Sequence, residues 1–227
     1  MMTTFQRARS EEQRAVRRRA ILDTAAAMLT EMPVAEVTLN ELSRRVGLAK
    51  SNVLRYFESR EAVLLELLDA AWQDWLAELE GELGEAVDTG APPAERGDQL
   101  AAALAASLTA RPVLCDLMYA QAAVLERNVS PQVAASYKRA ALANVAALAQ
   151  LILGRLAELG EHDAFRLAGS AVLVTGAIWA NCQPSAAMLA AYAADPGLAA
   201  MRLDFTATLR DVLEMLISGL LARSARH

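Results

Sequence analysis

Residues 38–57 read TLNELSRRVGLAKSNVLRYF, and they predict two short helices separated by a turn. Thr38 and Glu41 have the spacing of a capping box, in which the two residues satisfy each other's free backbone amides at a helix start. Gly47 supplies the tight exit from this first helix. The apolar residues that recur at helical spacing, and therefore predict one buried stripe, are Leu39, Leu42 and Val46.

The second short helix, predicted over residues 50–56, carries many hydrogen-bonding side chains beside one apolar seam. Leu48, Val53 and Phe57 are spaced to hold it on its neighbours. Two short helices joined by a glycine-containing turn describe a helix-turn-helix, whose second helix enters the major groove of DNA. The same pattern also occurs where helices merely pack together, so the surrounding residues have to decide between the two.

The side chains left free by the seam are suited to contact DNA. Lys50 and Arg55 can pair with guanine O6 and N7, and Asn52 with adenine N6 and N7. Leu54 can lie against a thymine methyl group, and Ser51 faces the same groove. Phosphate contacts are predicted for Thr38, Tyr56 and Arg60, and contacts to the backbone or adjacent minor groove for Arg17 and Arg18.

The charge distribution agrees with a local anionic partner. Residues 1–60 hold eleven Lys or Arg against seven Asp or Glu, a net +4, whereas residues 61–227 hold eleven against twenty, a net −9; together they make the −5 of the whole chain. A basic first quarter on an acidic protein favours one anionic partner over general adhesion. A solvated basic tail would have the same composition.

Enzymatic and metal-binding chemistry is not predicted. Cys115 and Cys182 are isolated, and the only histidines are His162 and His227, so no spacing resembles a disulfide framework or a metal site. A Ser-His-Asp set, paired metal-binding carboxylates and a Gly-rich phosphate loop are all missing from the sequence. We therefore expect a non-enzyme without a cofactor.

Location is predicted to be cytoplasmic. The first 20 residues contain no apolar segment of the kind found in a signal peptide. Residues 167–194 carry no charge and are long enough to cross a bilayer, but polar residues and Pro184 interrupt them. A buried helix followed by a break explains this stretch better than a membrane span.

The composition, 55% hydrophobic and 5% aromatic with few Gly and Pro, favours an all-α fold. Residues 1–60 are predicted to form a three-helix DNA-binding domain with a basic leader, and residues 61–227 a larger helical bundle. The clearest loop is predicted over residues 84–97. Helices are predicted over residues 11–31, 60–83, 98–109, 112–127, 131–159, 162–182 and 201–223, besides the two short ones.

Over residues 14–70 the sequence closely resembles the tetracycline-repressor (TetR) family of bacterial regulators. The matching motifs are AILDTA at 20–25, VTL at 37–39, LSRRVGL at 42–48 and YFESREAVL at 56–64. Three positions depart from the family pattern. Ala49 replaces a small polar cap, which removes up to ~1 kcal/mol of helix stabilisation; Leu54 replaces the usual Tyr, and Arg60 the commoner Lys.

The resemblance implies that the larger domain binds a ligand and forms a homodimer through its last two long helices. The dimer contacts implied are Val172, Leu173, Ile178, Leu209, Val212, Leu213, Leu216 and Leu220, although these faces could also close an intramolecular core. Large or polar side chains on the central helices could line a largely apolar ligand cavity, although core packing explains them as well. They are Trp72, Trp75, Cys115, Met118, Tyr119, Tyr137, Trp179 and Asn181.

The predicted function is that of a transcriptional repressor that binds a palindromic DNA operator as a dimer and is released by a small molecule. Two alternatives remain open. One is a helical dimeric interaction protein that has lost operator binding, and the other is a ligand-independent or activating regulator.

Overall fold

The computed structural model describes residues 4–224, without the side chains of residues 4–10 and 122–123, so the extreme ends of both predicted domains lie outside it. All regular secondary structure in this range is helical, which confirms the predicted all-α class. The helices are α1 (Thr4–Glu31), α2 (Leu39–Val46), α3 (Lys50–Val53), α4 (Arg60–Ala86), α5 (Pro93–Thr109), α6 (Pro112–Ala120), α7 (Pro131–Leu153), α8 (Gly160–Asn181), α9 (Ala186–Ala194), α10 (Pro196–Ala199) and α11 (Phe205–Ser224).

The first three helices form the small N-terminal unit, and the ends of α2 follow from its sequence. Thr38 Oγ1 accepts a hydrogen bond from Glu41 N at 3.2 Å, and Gly47 ends the helix with a left-handed φ of 72°. The predicted capping box is only half formed, because the Glu41 carboxylate turns to Arg44 and Arg45 instead. These two guanidinium groups lower the pKa of Glu41 to about 2.

The larger unit is a bundle that begins with α4. Ser59 caps this helix by accepting a hydrogen bond from Ala62 N at 3.1 Å. Helix α7 packs against α4 and α8, while α11 lies against α5 and α8. Because α4 starts beside the N-terminal unit and runs through the bundle, it connects the two parts of the molecule.

Several predicted helix boundaries need correction. The predicted loop over residues 84–97 is mostly helical, because α4 continues to Ala86 and α5 begins at Pro93. Proline suits the first turn of a helix, where its missing N–H has no partner to lose. The helix predicted over residues 112–127 is an α-helix only as far as Ala120, and a π-helical turn follows at residues 121–125. The helix predicted over residues 131–159 ends at Leu153.

The predicted dimer residues fall into two groups. Leu209, Leu213 and Leu220 are buried within the single chain, because α11 presents them to the protein's own bundle. They are therefore core residues, as the intramolecular alternative proposed. Val172, Ile178, Val212 and Leu216 are partly buried, and Leu173 is 76% exposed on α8.

Across residues 4–224, no single helix combines the length and apolar composition needed to cross a membrane. Within the same range, no cluster of three or more His, Cys, Asp and Glu side chains is arranged to hold a metal ion.

Candidate DNA-binding surface and ligand cavities

The short helix α3 presents a polar surface that is held from behind. Val53 and Phe57 are 0% and 3% exposed and pack into the core of the N-terminal unit. The side chains of Lys50, Ser51, Asn52 and Arg55 are exposed, and Leu54 beside them is 41% exposed. Ala49 precedes α3 without a side-chain capping bond. The residues predicted to read bases are thus all exposed, and Asn52 and Arg55 line one groove.

A basic groove of about 480 Å³ joins this face to α1. Its cationic side chains are Arg14, Arg17 and Arg55, none of which forms an ion pair with a described side chain, and Tyr56 lies beside them. Unpaired guanidinium groups along a groove provide the charge and donors that phosphate needs. Gln13 and Arg14 were not in the predicted set, but their spacing of four and three residues from Arg17 places them on the same helix face.

Arg18 and Arg60 are placed differently from their predicted role at DNA. Arg18 Nη1 donates to the Tyr56 carbonyl at 2.7 Å, and its guanidinium also pairs with Glu66 and lies 4.0 Å from the centre of the Phe57 ring. Arg60 Nη1 donates to the Val37 carbonyl at 2.7 Å, with 17% of its side chain exposed. Both arginines join elements inside the protein, so the structure removes them from the set of free phosphate ligands.

Two further hydrogen bonds connect the N-terminal unit to the bundle. Val34 N donates to Asp116 Oδ2 at 2.7 Å, which attaches the turn after α1 to α6. Ser130 N donates to Glu58 Oε1 at 2.6 Å, which attaches the residues after α3 to the start of α7. The position of the DNA-facing surface therefore depends on α6 and α7 as well as on α4.

A first cavity, which we call the core cavity, measures about 510 Å³ and opens to the surface between α4, α7 and α8, where the exposed Leu173 forms part of its wall. Trp72 and Tyr137 of the predicted ligand set line it. Asn144 contributes a polar group, whose Nδ2 donates to Asp69 Oδ1 at 2.8 Å. Burial raises the pKa of the Tyr137 hydroxyl above its ordinary value. The walls are otherwise mostly apolar, as is usual for a small-molecule site.

A second cavity, the junction cavity, measures about 760 Å³ and lies where the N-terminal unit meets α6 and the end of α8. Tyr119 and Trp179 of the predicted ligand set line it, together with Asp116. The sequence-based ligand set is therefore divided between two cavities, because residues on different faces of the central helices point to different spaces.

The remaining predicted ligand residues line neither cavity. Trp75 is buried and its indole Nε1 donates to Ser107 Oγ at 2.9 Å. Cys115 and Met118 are buried in the core, where burial raises the pKa of the Cys115 thiol to about 12. Asn181 is exposed at the end of α8, and its Nδ2 donates to the Ala177 carbonyl. These four side chains have structural partners of their own or face solvent.

The chain matches two family descriptions in succession. Residues 21–67 match "Bacterial regulatory proteins, tetR family", and residues 69–224 match "Tetracyclin repressor-like, C-terminal domain". The second match alone covers more than half of the chain. The chain belongs to the tetR family.

Individual relatives of this tetR-family chain agree with that assignment. Over 50 residues it is 42% identical to the HTH-type transcriptional regulator EthR of Mycobacterium tuberculosis, a match that spans 22% of this chain and only 23% of EthR. A putative TetR-family transcriptional regulator from Mesorhizobium loti superposes with a TM-score of 0.56 at 17% identity, covering 92% of this chain and 96% of that one. A TetR transcriptional regulator from Rhodococcus sp. RHA1 gives 0.53 at 16% identity, with the same coverage. At these identities the structural likeness concerns the tetR-family fold.

Proposed function

We propose that this tetR-family protein is a transcriptional repressor that binds a palindromic DNA operator as a homodimer and is released by a small, largely apolar molecule. The observation that carries the proposal is the exposed cluster of Lys50, Asn52 and Arg55 on α3, held in place by the buried side chains of Val53 and Phe57. A regulator of this kind acts in the cytoplasm, and its role is binding rather than catalysis.

The DNA-facing surface divides into a reading part and a positioning part. On α3, Lys50 and Arg55 offer donors for guanine, and Asn52 offers the paired donor and acceptor that adenine requires. Arg14 and Arg17 of the basic groove offer charge to phosphates, which position the protein without reading sequence. This division supports specific binding because both kinds of contact can form at once.

Dimerisation supports the proposal because one short helix makes few base contacts. Two copies, with their α3 helices about one helical turn of DNA apart, would double those contacts and require a palindrome. The exposed apolar side chains that fit such an interface are Leu173 on α8 and Met215 on α11, which are 76% and 65% exposed. The buried residues Leu209, Leu213 and Leu220 have no part in this proposed interface.

The proposed ligand binds in the core cavity and from there changes the affinity of the protein for DNA. This cavity touches α4 and α7, and both of these helices reach the N-terminal unit. A ligand shifts DNA binding only if it has different affinities for the two arrangements of the protein, and a coupling of ~1–3 kcal/mol changes operator affinity about 5- to 150-fold. The cavity therefore lies where occupancy can alter the separation of two α3 helices.

The proposal is tested by selecting binding sites from random DNA duplexes with the purified full chain. We expect enrichment of an inverted repeat whose affinity falls as salt increases. A triple variant, Lys50→Ala, Asn52→Ala and Arg55→Ala, is expected to lose at least about tenfold in affinity for the selected site. The matched control changes the exposed residues Arg139, Asn128 and Arg202 to Ala, which removes two positive charges and one asparagine, as the α3 variant does, but away from α3.

Three other outcomes of these experiments would each contradict a part of the proposal. If the α3 triple variant still selects the palindrome, the assigned surface is wrong. If no duplex is enriched, the alternative of a helical interaction protein without operator binding is favoured. If an operator is bound but no small molecule changes its affinity, the protein is a ligand-independent regulator.

A further inference from the structure

We propose that the junction cavity is a second binding site, separate from the core cavity, and that it takes a compact lipophilic organic cation such as a quaternary ammonium or phosphonium ion. The inference concerns a space between the N-terminal unit and the bundle. It therefore goes beyond the ligand control proposed for the core cavity.

The shape and the walls of the junction cavity suit a small molecule. Its volume of about 760 Å³ falls within the roughly 300–1,000 Å³ typical of ligand sites. Apolar groups from the end of α1, from α6 and from the end of α8 form most of the lining. Tyr119 and Trp179 provide aromatic surface, and aromatic faces attract cations.

The charged groups around the cavity leave one carboxylate without a counter-ion. Glu31 accepts from Arg45 Nη1 at 2.6 Å, so its charge is paired. Arg60 lies 3.5 Å from Glu61 and donates to Val37, so its charge is also accounted for. Asp116 forms no ion pair with any described side chain. The balance of charge facing the cavity is therefore negative.

The hydrogen bonding of Asp116 leaves half of its carboxylate available. Oδ2 accepts from Val34 N at 2.7 Å, whereas Oδ1 receives no hydrogen bond from a described residue. Asp69 of the core cavity is the useful comparison, because Asn144 and Gln73 donate to its two oxygens at 2.8 and 3.1 Å. The core cavity is also lined by Lys138 and Arg166. Lys138 and Arg166 pair with Glu126 and Asp163, so Asp69 also has no ion pair. What distinguishes the junction cavity is the carboxylate oxygen Oδ1 of Asp116, which receives no hydrogen bond from a described residue.

These features together select for a cation. A partly buried carboxylate without a counter-ion is stabilised when a positive charge enters beside it, and the effect is strong where apolar walls exclude water. An anion of the same shape would be repelled by the same carboxylate. An apolar body around the positive charge would fill the space between α6 and α8, while the aromatic rings would contact its surface.

The test compares two ions of nearly the same shape and opposite charge, tetraphenylphosphonium and tetraphenylborate. Calorimetric titration of the full chain without DNA is expected to give at least about tenfold tighter binding of the phosphonium, because Asp116 attracts it and repels the borate. Asp116→Asn removes the charge but retains an oxygen for Val34 N. We expect this variant to lose most of that difference.

Two further variants locate the binding site. Tyr119→Ala changes a side chain that is half exposed, and we expect weaker phosphonium binding in a protein that still folds. Asp69→Asn makes the same chemical change as Asp116→Asn but in the core cavity, and we expect it to leave phosphonium affinity unchanged. Equal binding of both ions, or loss of phosphonium binding in Asp69→Asn rather than Asp116→Asn, would overturn the inference. Because DNA is absent, neither outcome depends on the proposed function.

Discussion

Gly97 in α5 lies so close to Ile217 in α11 that a Cβ added to Gly97 would stand 2.8 Å from Ile217 Cγ2. Ile217 is almost fully buried, and its branched side chain has little freedom to move aside. This contact brings α5 and α11 close together and commits one face of α11 to the interior of the chain. The opposite face of α11, which includes Met215, stays exposed.

Replacing Gly97 with Ala is therefore expected to destabilise the protein by about 1–3 kcal/mol, because the added methyl group overpacks the contact between the helices. The control is Gly81→Ala in α4, where nothing lies within 4 Å of the added Cβ. That change is expected to stabilise the protein by about 0.5–1 kcal/mol, as Ala favours a helix over Gly. Urea unfolding of the two variants measures both values, and equal effects would contradict the close packing.

Arg17 and Arg18 are neighbours in sequence but are expected to act differently on DNA binding. Arg17 lines the basic groove, so Arg17→Ala should reduce the slope of log K against log salt by about one. Arg18 pairs with Glu66 and donates to the Tyr56 carbonyl. Arg18→Ala should leave that slope unchanged and lower the thermal midpoint, because the contact between α1 and α4 is lost. A slope reduced equally by both variants would show that Arg18 reaches phosphate.

Leu173→Glu is expected to convert the proposed dimer to a monomer, because it places a charge on the exposed apolar face of α8. Burying an unpaired carboxylate costs several kcal/mol, which exceeds what most interfaces tolerate from one residue. The control is Val16→Glu, which changes another strongly exposed apolar residue, on α1, that is 64% exposed compared with 76% for Leu173. Sedimentation velocity without DNA measures the oligomeric state of both variants. If the Leu173→Glu variant is still a dimer, the face of α8 that carries Leu173 is not the dimer interface.

Alkylation of the two cysteines should differ strongly in the folded protein. Burial raises the pKa of Cys115 to about 12, so at pH 8.5 its thiol stays protonated and also inaccessible. Cys182 has a raised pKa as well, through burial and the nearby Asp204, but it is only partly buried. Because the thiolate is the reactive form, iodoacetamide should modify Cys182 first and reach Cys115 only after unfolding. Peptide mass spectrometry measures the order, and early labelling of Cys115 would contradict its placement.

Much of the N-terminal unit could be predicted from local chemistry. Thr38 marks the start of α2 and Gly47 its end, because a side-chain cap and a left-handed residue act over only three or four neighbours. The helical spacing of Val53 and Phe57 likewise identifies the buried side of α3, and the residues between them are mostly polar and exposed. Arg18 and Arg60 could not be placed in this way, since their partners Glu66 and Val37 are distant in sequence and both contacts depend on how α4 packs against the N-terminal unit.

The sequence by itself determined that the chain is helical, where most helices begin, and which short helix carries the polar side chains. Hydrophobic periodicity and helix capping depend only on residues close together in the chain, so the sequence alone supports these conclusions. Only the tertiary structure decided which apolar faces are core and which are open, because Leu213 and Leu173 look alike in a sequence and differ only in what packs on them. It also separated Tyr137 from Trp179 into two cavities and left Asp116 without a counter-ion, since distances between helices arise from packing.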